Sequence, residues 1–130
     1  MDGRIAVVTG ASRGIGQYIA ERFAAEGAAI ALVARTLAPD TSRLPGSLEE
    51  VAGRIRANGG KAEAIPADLT SPEDVETIVA RAEEALGPVD TLVNNAGANF
   101  YGPALAVVET APFPLEAVTH VGNAIVIAAP

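Results

Sequence analysis

The chain has 130 residues, 9 Lys+Arg against 16 Asp+Glu and a formal net charge of −7. That length supports one domain with a real core, and a 49% hydrophobic, 19% charged composition argues against wholesale disorder. The acidic balance gives no basic field to meet nucleic acid or an anionic membrane surface, so neither is an expected partner. With no cysteine, disulfides, thiolate metal sites and a Cys nucleophile are excluded. The opening MDGRIAVVTG is too short, and too soon broken by glycine, for a signal peptide or a membrane span. A cytoplasmic protein is the expectation.

Short apolar runs alternate with longer helical patterns, the signature of a parallel α/β sheet. Residues 4–9 read as a strand covered on both faces, because nearly every side chain is apolar. Glycines break it, and Ile15, Ile19, Ala20, Phe23 and Ala24 then recur at helical spacing until Gly27. A second strand follows at 30–34, and the proline-containing stretch 36–46 reads as an exposed loop. Ser47 and Glu50 form a capping box for a helix through Ala57, which Asn58-Gly59-Gly60 closes. A third strand is expected at 61–66. Ser71, Pro72 and Asp74 open a third helix with Val75, Ile78, Val79, Ala82 and Leu86 as its buried stripe. Gly87-Pro88 stops it, and a fourth strand at 89–93 runs into Asn94-Asn95-Ala96-Gly97. Beyond Gly102 the pattern weakens: 115–121 could make two helical turns and 124–129 a short apolar strand.

The segment Thr9-Gly10-Ala11-Ser12-Arg13-Gly14-Ile15-Gly16 joins the first strand to the first helix. Glycine there permits a tight turn and lets a phosphate approach without meeting a Cβ. A helix starting near Gly14 offers unpaired N–H groups and about half a positive charge to a diphosphate. Gly16, on the sheet side, allows helix and strand to pack closely. Two glycines would read as a plain turn. Three in the first βα turn of a βαβ unit point to nucleotide binding.

These residues resemble the short-chain dehydrogenase/reductase family, whose TGxxxGIG hallmark is matched at all five fixed positions. The family's NNAG stands at Asn94–Gly97, and an acidic residue after the third strand is present in Asp68-Leu69. The resemblance covers residues 3–105, about half of a usual member, and the text RLPGSLEEVAGRI is similar to a hydroxysteroid-dehydrogenase-like branch. It implies a Rossmann-type, doubly wound parallel sheet of strand order 3-2-1-4, truncated, with 124–129 available as one added strand. It also implies that Asp68 bonds the adenine amino group, that Leu69 packs by the ring, and that Asn94 stabilises the sheet. Ala96 and Gly97 would then admit the nicotinamide-side ribose. For Asp68 a plain turn role before Ser71 stays open.

The second strand ends Val33-Ala34-Arg35, without the acid that would serve the ribose hydroxyls of NAD. Arg35, together with Arg13 in the glycine turn, suits a 2′-phosphate, so NADP is expected ahead of NAD. The expected binding set is Gly10, Ser12, Arg13, Gly14, Ile15, Gly16, Arg35, Asp68, Leu69, Asn94, Ala96 and Gly97.

Chemistry in the family, by resemblance, pairs hydride transfer with a proton relayed by tyrosine, a lysine four residues on, and a serine. The lysine matters because an unaided phenol titrates near 10. Here Tyr18 is followed at that spacing by Arg22, Tyr101 by Leu105, and the sole lysine is Lys61. Asn123 is the candidate for the family's relay asparagine, and His120 has no second His or Cys with which to share a metal. Two organisational units follow: residues 1–105 as the NADP-binding Rossmann half and 106–130 as a divergent tail, attributed to truncation, splicing or a changed frame. A carbonyl or alcohol substrate is expected only for a full-length parent. A catalytically silent NADP-binding module or partner subunit, or a poorly folded product, are the competing readings. An uncovered fourth strand would invite self-association.

Overall fold

The computed structural model describes residues 1–39 and 45–97. Chain order is β1 (Ile5–Thr9), α1 (Gly14–Ala25), β2 (Ala29–Ala34), α2 (Leu48–Ala57), β3 (Lys61–Pro66), α3 (Pro72–Leu86) and β4 (Thr91–Val93). The four strands form one sheet of order β3-β2-β1-β4. All neighbours are parallel, with Val7 opposite both Ala31 and Leu92. The expected topology is the observed one. The proposed helix at 115–121, the strand at 124–129, and His120, Asn123 and Tyr101 lie outside the described residues.

Alternation along the strands divides the core into two layers. Ala6, Val8, Ile30 and Leu32 pack with Ala20, Leu48, Val51 and Ile55 on the α1/α2 side. Val7, Ala31, Val33 and Ile65 pack with Ile78 and Ala82 on the α3 side. Strands enclosed on both faces need apolar residues at every position, which explains the unbroken runs in the sequence. Fully buried side chains such as Ile30 and Leu32 each contribute roughly 1.5–3 kcal/mol.

Two expectations need correction. The stripe of α3 is narrower than its periodicity implies, because Val75 and Val79 remain 45% and 47% exposed. The helix lies chiefly over β3 and β2, and Ile78 and Ala82 take the contact with the sheet. Strand β4 begins at Thr91, later than expected. Pro88 has no N–H, and the Val89 N–H is taken by Glu83 Oε1 at 3.3 Å, so neither can start the ladder.

The outer strand β3 is flanked by two arginines. Arg56, on α2, donates to Ala62 O from Nη2 at 2.6 Å and from Nε at 3.0 Å. Arg81, on α3, donates to Pro66 O at 3.0 Å. No helix among the described residues is long and apolar enough to cross a membrane.

Candidate nucleotide site

Leaving β2, the chain moves outward to β3 and then returns to β4 on the far side of β1, so the order reverses between β1 and β4. Crevices at such reversals, beyond the carboxyl ends of the strands, are where open α/β sheets bind ligands. Thr9 closes the base of this one. Its hydroxyl donates to Val93 O at 3.1 Å and accepts from Asn95 N at 3.0 Å and Ala96 N at 3.1 Å. Asn95 Nδ2 donates back to Thr9 O at 3.0 Å and Gly10 O at 3.5 Å.

The residue tying the strands together is therefore Asn95 and not Asn94. Val93 faces the core and Asn94 is exposed, so the side chain that returns toward β1 is the next one. Thr9 is the second contributor that sequence reasoning passed over. Its signal was present as the fixed threonine of the glycine motif, on β1, three strands before β4 in sequence but adjacent to it in the sheet.

The turn above this base is shaped by close backbone approach. Gly10 has φ +68°, and a Cβ there would lie 2.9 Å from both Ala96 Cα and Asn95 Nδ2. A Cβ on Gly16 would collide with Gly10 O and Asn95 Nδ2, so α1 can sit this near the turn only as glycine allows. Gly14 has φ +57° and open space around it. Ser12 is buried, whereas Ile15 is 60% exposed at the lip of the turn, outside the stripe its spacing suggested.

Helix α1 starts without a cap. Arginine has no acceptor to offer, so Arg13 at the N-cap makes no side-chain capping bond. The first turn contains no acidic residue. Among the described residues, no protein acceptor meets the N–H groups of Gly14, Ile15 or Gly16. Donors without a protein acceptor, the positive end of the helix dipole and the absence of a Cβ at Gly14 and Gly16 together fit an anionic diphosphate.

Arg13 itself reaches sideways. Its Nη2 donates to Thr36 Oγ1 at 3.3 Å and to Gly46 O at 3.2 Å. Arg35 is exposed just past β2 and borders an open cleft of about 270 Å³ with Pro66, Ala67, Asp68 and Asp74. The Thr70 amide and hydroxyl donate to Asp68 Oδ1 at 2.9 and 2.8 Å. Those bonds, with a smaller pull from Arg35, hold the Asp68 carboxyl below its usual range. Asp68 thus fills the turn role before Ser71 and still borders the cleft. Leu69 is half-buried against the α3-side core. Ala96 and Gly97 are exposed beside the glycine turn. Asn123 lies outside the described residues. Among those residues no cluster of three His, Asp or Glu is arranged to hold a metal.

A parallel, doubly wound sheet with this glycine turn and this β1–β4 junction defines a dinucleotide-fold protein of the short-chain type. The short chain dehydrogenase family model matches residues 4–121, and the chain belongs to that family. It is 41% identical over 97 residues to 2,3-dihydro-2,3-dihydroxybenzoate dehydrogenase of Bacillus subtilis, covering 75% of this chain and 34% of that protein. It is 44% identical over 91 residues to hydroxysteroid dehydrogenase-like protein 2 of Bos taurus, covering 70% and 22%. A metagenomic short-chain oxidoreductase solved in complex with NADP superposes with a TM-score of 0.70 at 37% identity, covering 85% and 47%. The chain thus spans about a third or less of these two curated relatives, and under half of that solved chain.

Proposed function

We propose that this chain binds a nicotinamide dinucleotide, NADP ahead of NAD, as the cofactor half of a short-chain oxidoreductase. The observation that carries the reading is the bare start of α1, aimed into the reversal between β1 and β4. Backbone N–H groups of Gly14, Ile15 and Gly16 hold the diphosphate, while Gly10 and Gly16 keep the turn close enough for its approach. Arg35 supplies the cation for a 2′-phosphate at the mouth of the cleft it borders. Asp68 and Leu69 serve the adenine, and Ala96 and Gly97 border the nicotinamide-side ribose. The NADP complex of the metagenomic relative supports this choice of cofactor.

When bound, the dinucleotide carries the hydride exchanged between an alcohol and a carbonyl. The sequence contains no Tyr-x-x-x-Lys pair to move the accompanying proton. These 130 residues therefore bind cofactor without turnover, and the carbonyl or alcohol substrate belongs to a longer parent.

Calorimetric titration with NADPH and NADH tests the reading. Saturable NADPH binding is expected, and Arg35→Ala should weaken NADPH by about 10- to 150-fold relative to NADH, the value of one charge-assisted hydrogen bond. Failure of both cofactors to bind removes the proposal. Equal losses for the two remove the 2′-phosphate assignment to Arg35.

A further inference from the structure

Arg13 was expected to face the adenosine ribose, yet its guanidinium bonds the chain where it leaves β2 and again where it enters α2. Thr36 supplies the first contact through its hydroxyl, and Gly46 the second through its carbonyl. These two points are themselves joined, because the Leu48 N–H donates to Thr36 O at 3.0 Å and the Glu49 N–H to Leu37 O at 3.0 Å. They form the neck of the β2–α2 connection. Gly46 seats that neck against the glycine turn: it has φ +99°, and a Cβ there would lie 2.6 Å from Ser12 O and 3.1 Å from Arg13 Cβ. On the β2 side, the Ala11 N–H donates to Val33 O at 3.1 Å. Arg35 lies between Val33 and Thr36, two points of β2 and its exit that are fastened to the glycine turn.

We propose that Arg13 is a positioning residue, clamping the neck of the β2–α2 connection to the glycine turn and so fixing the segment that carries Arg35. Arg13 then acts on recognition of a 2′-phosphate through the placement of Arg35. A guanidinium suits the task because one planar end group can donate to two acceptors on different stretches of chain. Gly46 is its counterpart, since any side chain there forces the neck away from Ser12.

The cofactor part of this inference rests on the proposed binding of NADP, but the clamp does not. Amide exchange on the ligand-free 130-residue chain reads the clamp directly. Arg13→Ala, Thr36→Val and Gly46→Ala should each speed exchange at Leu48 and Glu49, by about tenfold for Arg13→Ala, with the amides of α3 unchanged. Thr36→Val removes one acceptor at nearly constant shape and serves if the other variants fold poorly. Unchanged exchange in Thr36→Val and Arg13→Ala would overturn the clamp, whether or not NADPH binds. In NADPH titrations, Arg13→Ala should cost affinity in the parent and much less in an Arg35→Ala background. Additive losses in that cycle, with Thr36→Val neutral, would make Arg13 a direct phosphate ligand and overturn the positioning role.

Discussion

Helices α2 and α3 begin closed, and α1 begins open. Ser47 Oγ accepts from Glu50 N at 3.2 Å, and Ser71 Oγ accepts from Asp74 N at 3.3 Å. Each of these helices also carries two acids in its first turn, Glu49 and Glu50 in α2 and Glu73 and Asp74 in α3. The first-turn donors of α2 are consumed entirely by protein, through Thr36 O, Leu37 O and Ser47 Oγ. In α1 the same positions hold Gly14, Ile15 and Gly16, with neither a cap nor an acid. A sequence that caps two helices so fully has the means to cap a third. Leaving one start bare costs local stability and keeps a site for an anion.

The contrast can be attacked from both sides. Ile15→Glu places an acid in the open first turn, on a side chain already mostly in solvent. NADPH binding should weaken by about 1.5–3 kcal/mol, while urea stability holds or rises by about 0.3–1 kcal/mol. Unaltered affinity would mean that the open end is not where the diphosphate rests. Baring a closed start should do the reverse. Ser71→Ala is expected to cost about 1 kcal/mol in urea unfolding, and Ser47→Ala somewhat more because its hydroxyl is fully buried, with little change in cofactor affinity.

The smallest effect concerns the approach to α3. The Asp68 carboxyl is held low chiefly by the Thr70 amide, so its contribution is complete above the ordinary carboxylate range and is lost as pH falls through its folded value. Asp68→Asn should flatten the acid limb of a stability–pH curve below about pH 4, and leave the neutral region nearly level. An unchanged acid limb would show that the turn does not depend on that charge.

Much of this was legible before any coordinates. Strands enclosed on both faces announce themselves as unbroken apolar runs, and serine three residues ahead of an acid marks a helix start, so β1 to β3 and the capped helices emerged nearly at their observed bounds. What escaped depended on facts that periodicity does not carry. Which of two adjacent asparagines turns back to Thr9 is decided by the phase of β4 against the core. How much of Val75 and Val79 is covered depends on where α3 lies across the sheet. The side chain of Arg13 follows acceptors more than twenty residues away, which no local pattern encodes. Glycine positions were read well because their demand is local: a backbone that must pass close to another leaves no room for a Cβ.

Parallel sheets are open at both margins, and strangers can add to either. In this molecule the margin at β3 is guarded, because Arg56 and Arg81 already satisfy carbonyls of Ala62 and Pro66 and a proline there offers no amide in return. A visiting strand would have to displace two guanidiniums and would still find one rung missing. The other margin, β4, lies next to the crevice itself. A segment adding at β3 has those guanidiniums to displace, whereas one adding at β4 meets the strand that Thr9 and Asn95 already tie to β1.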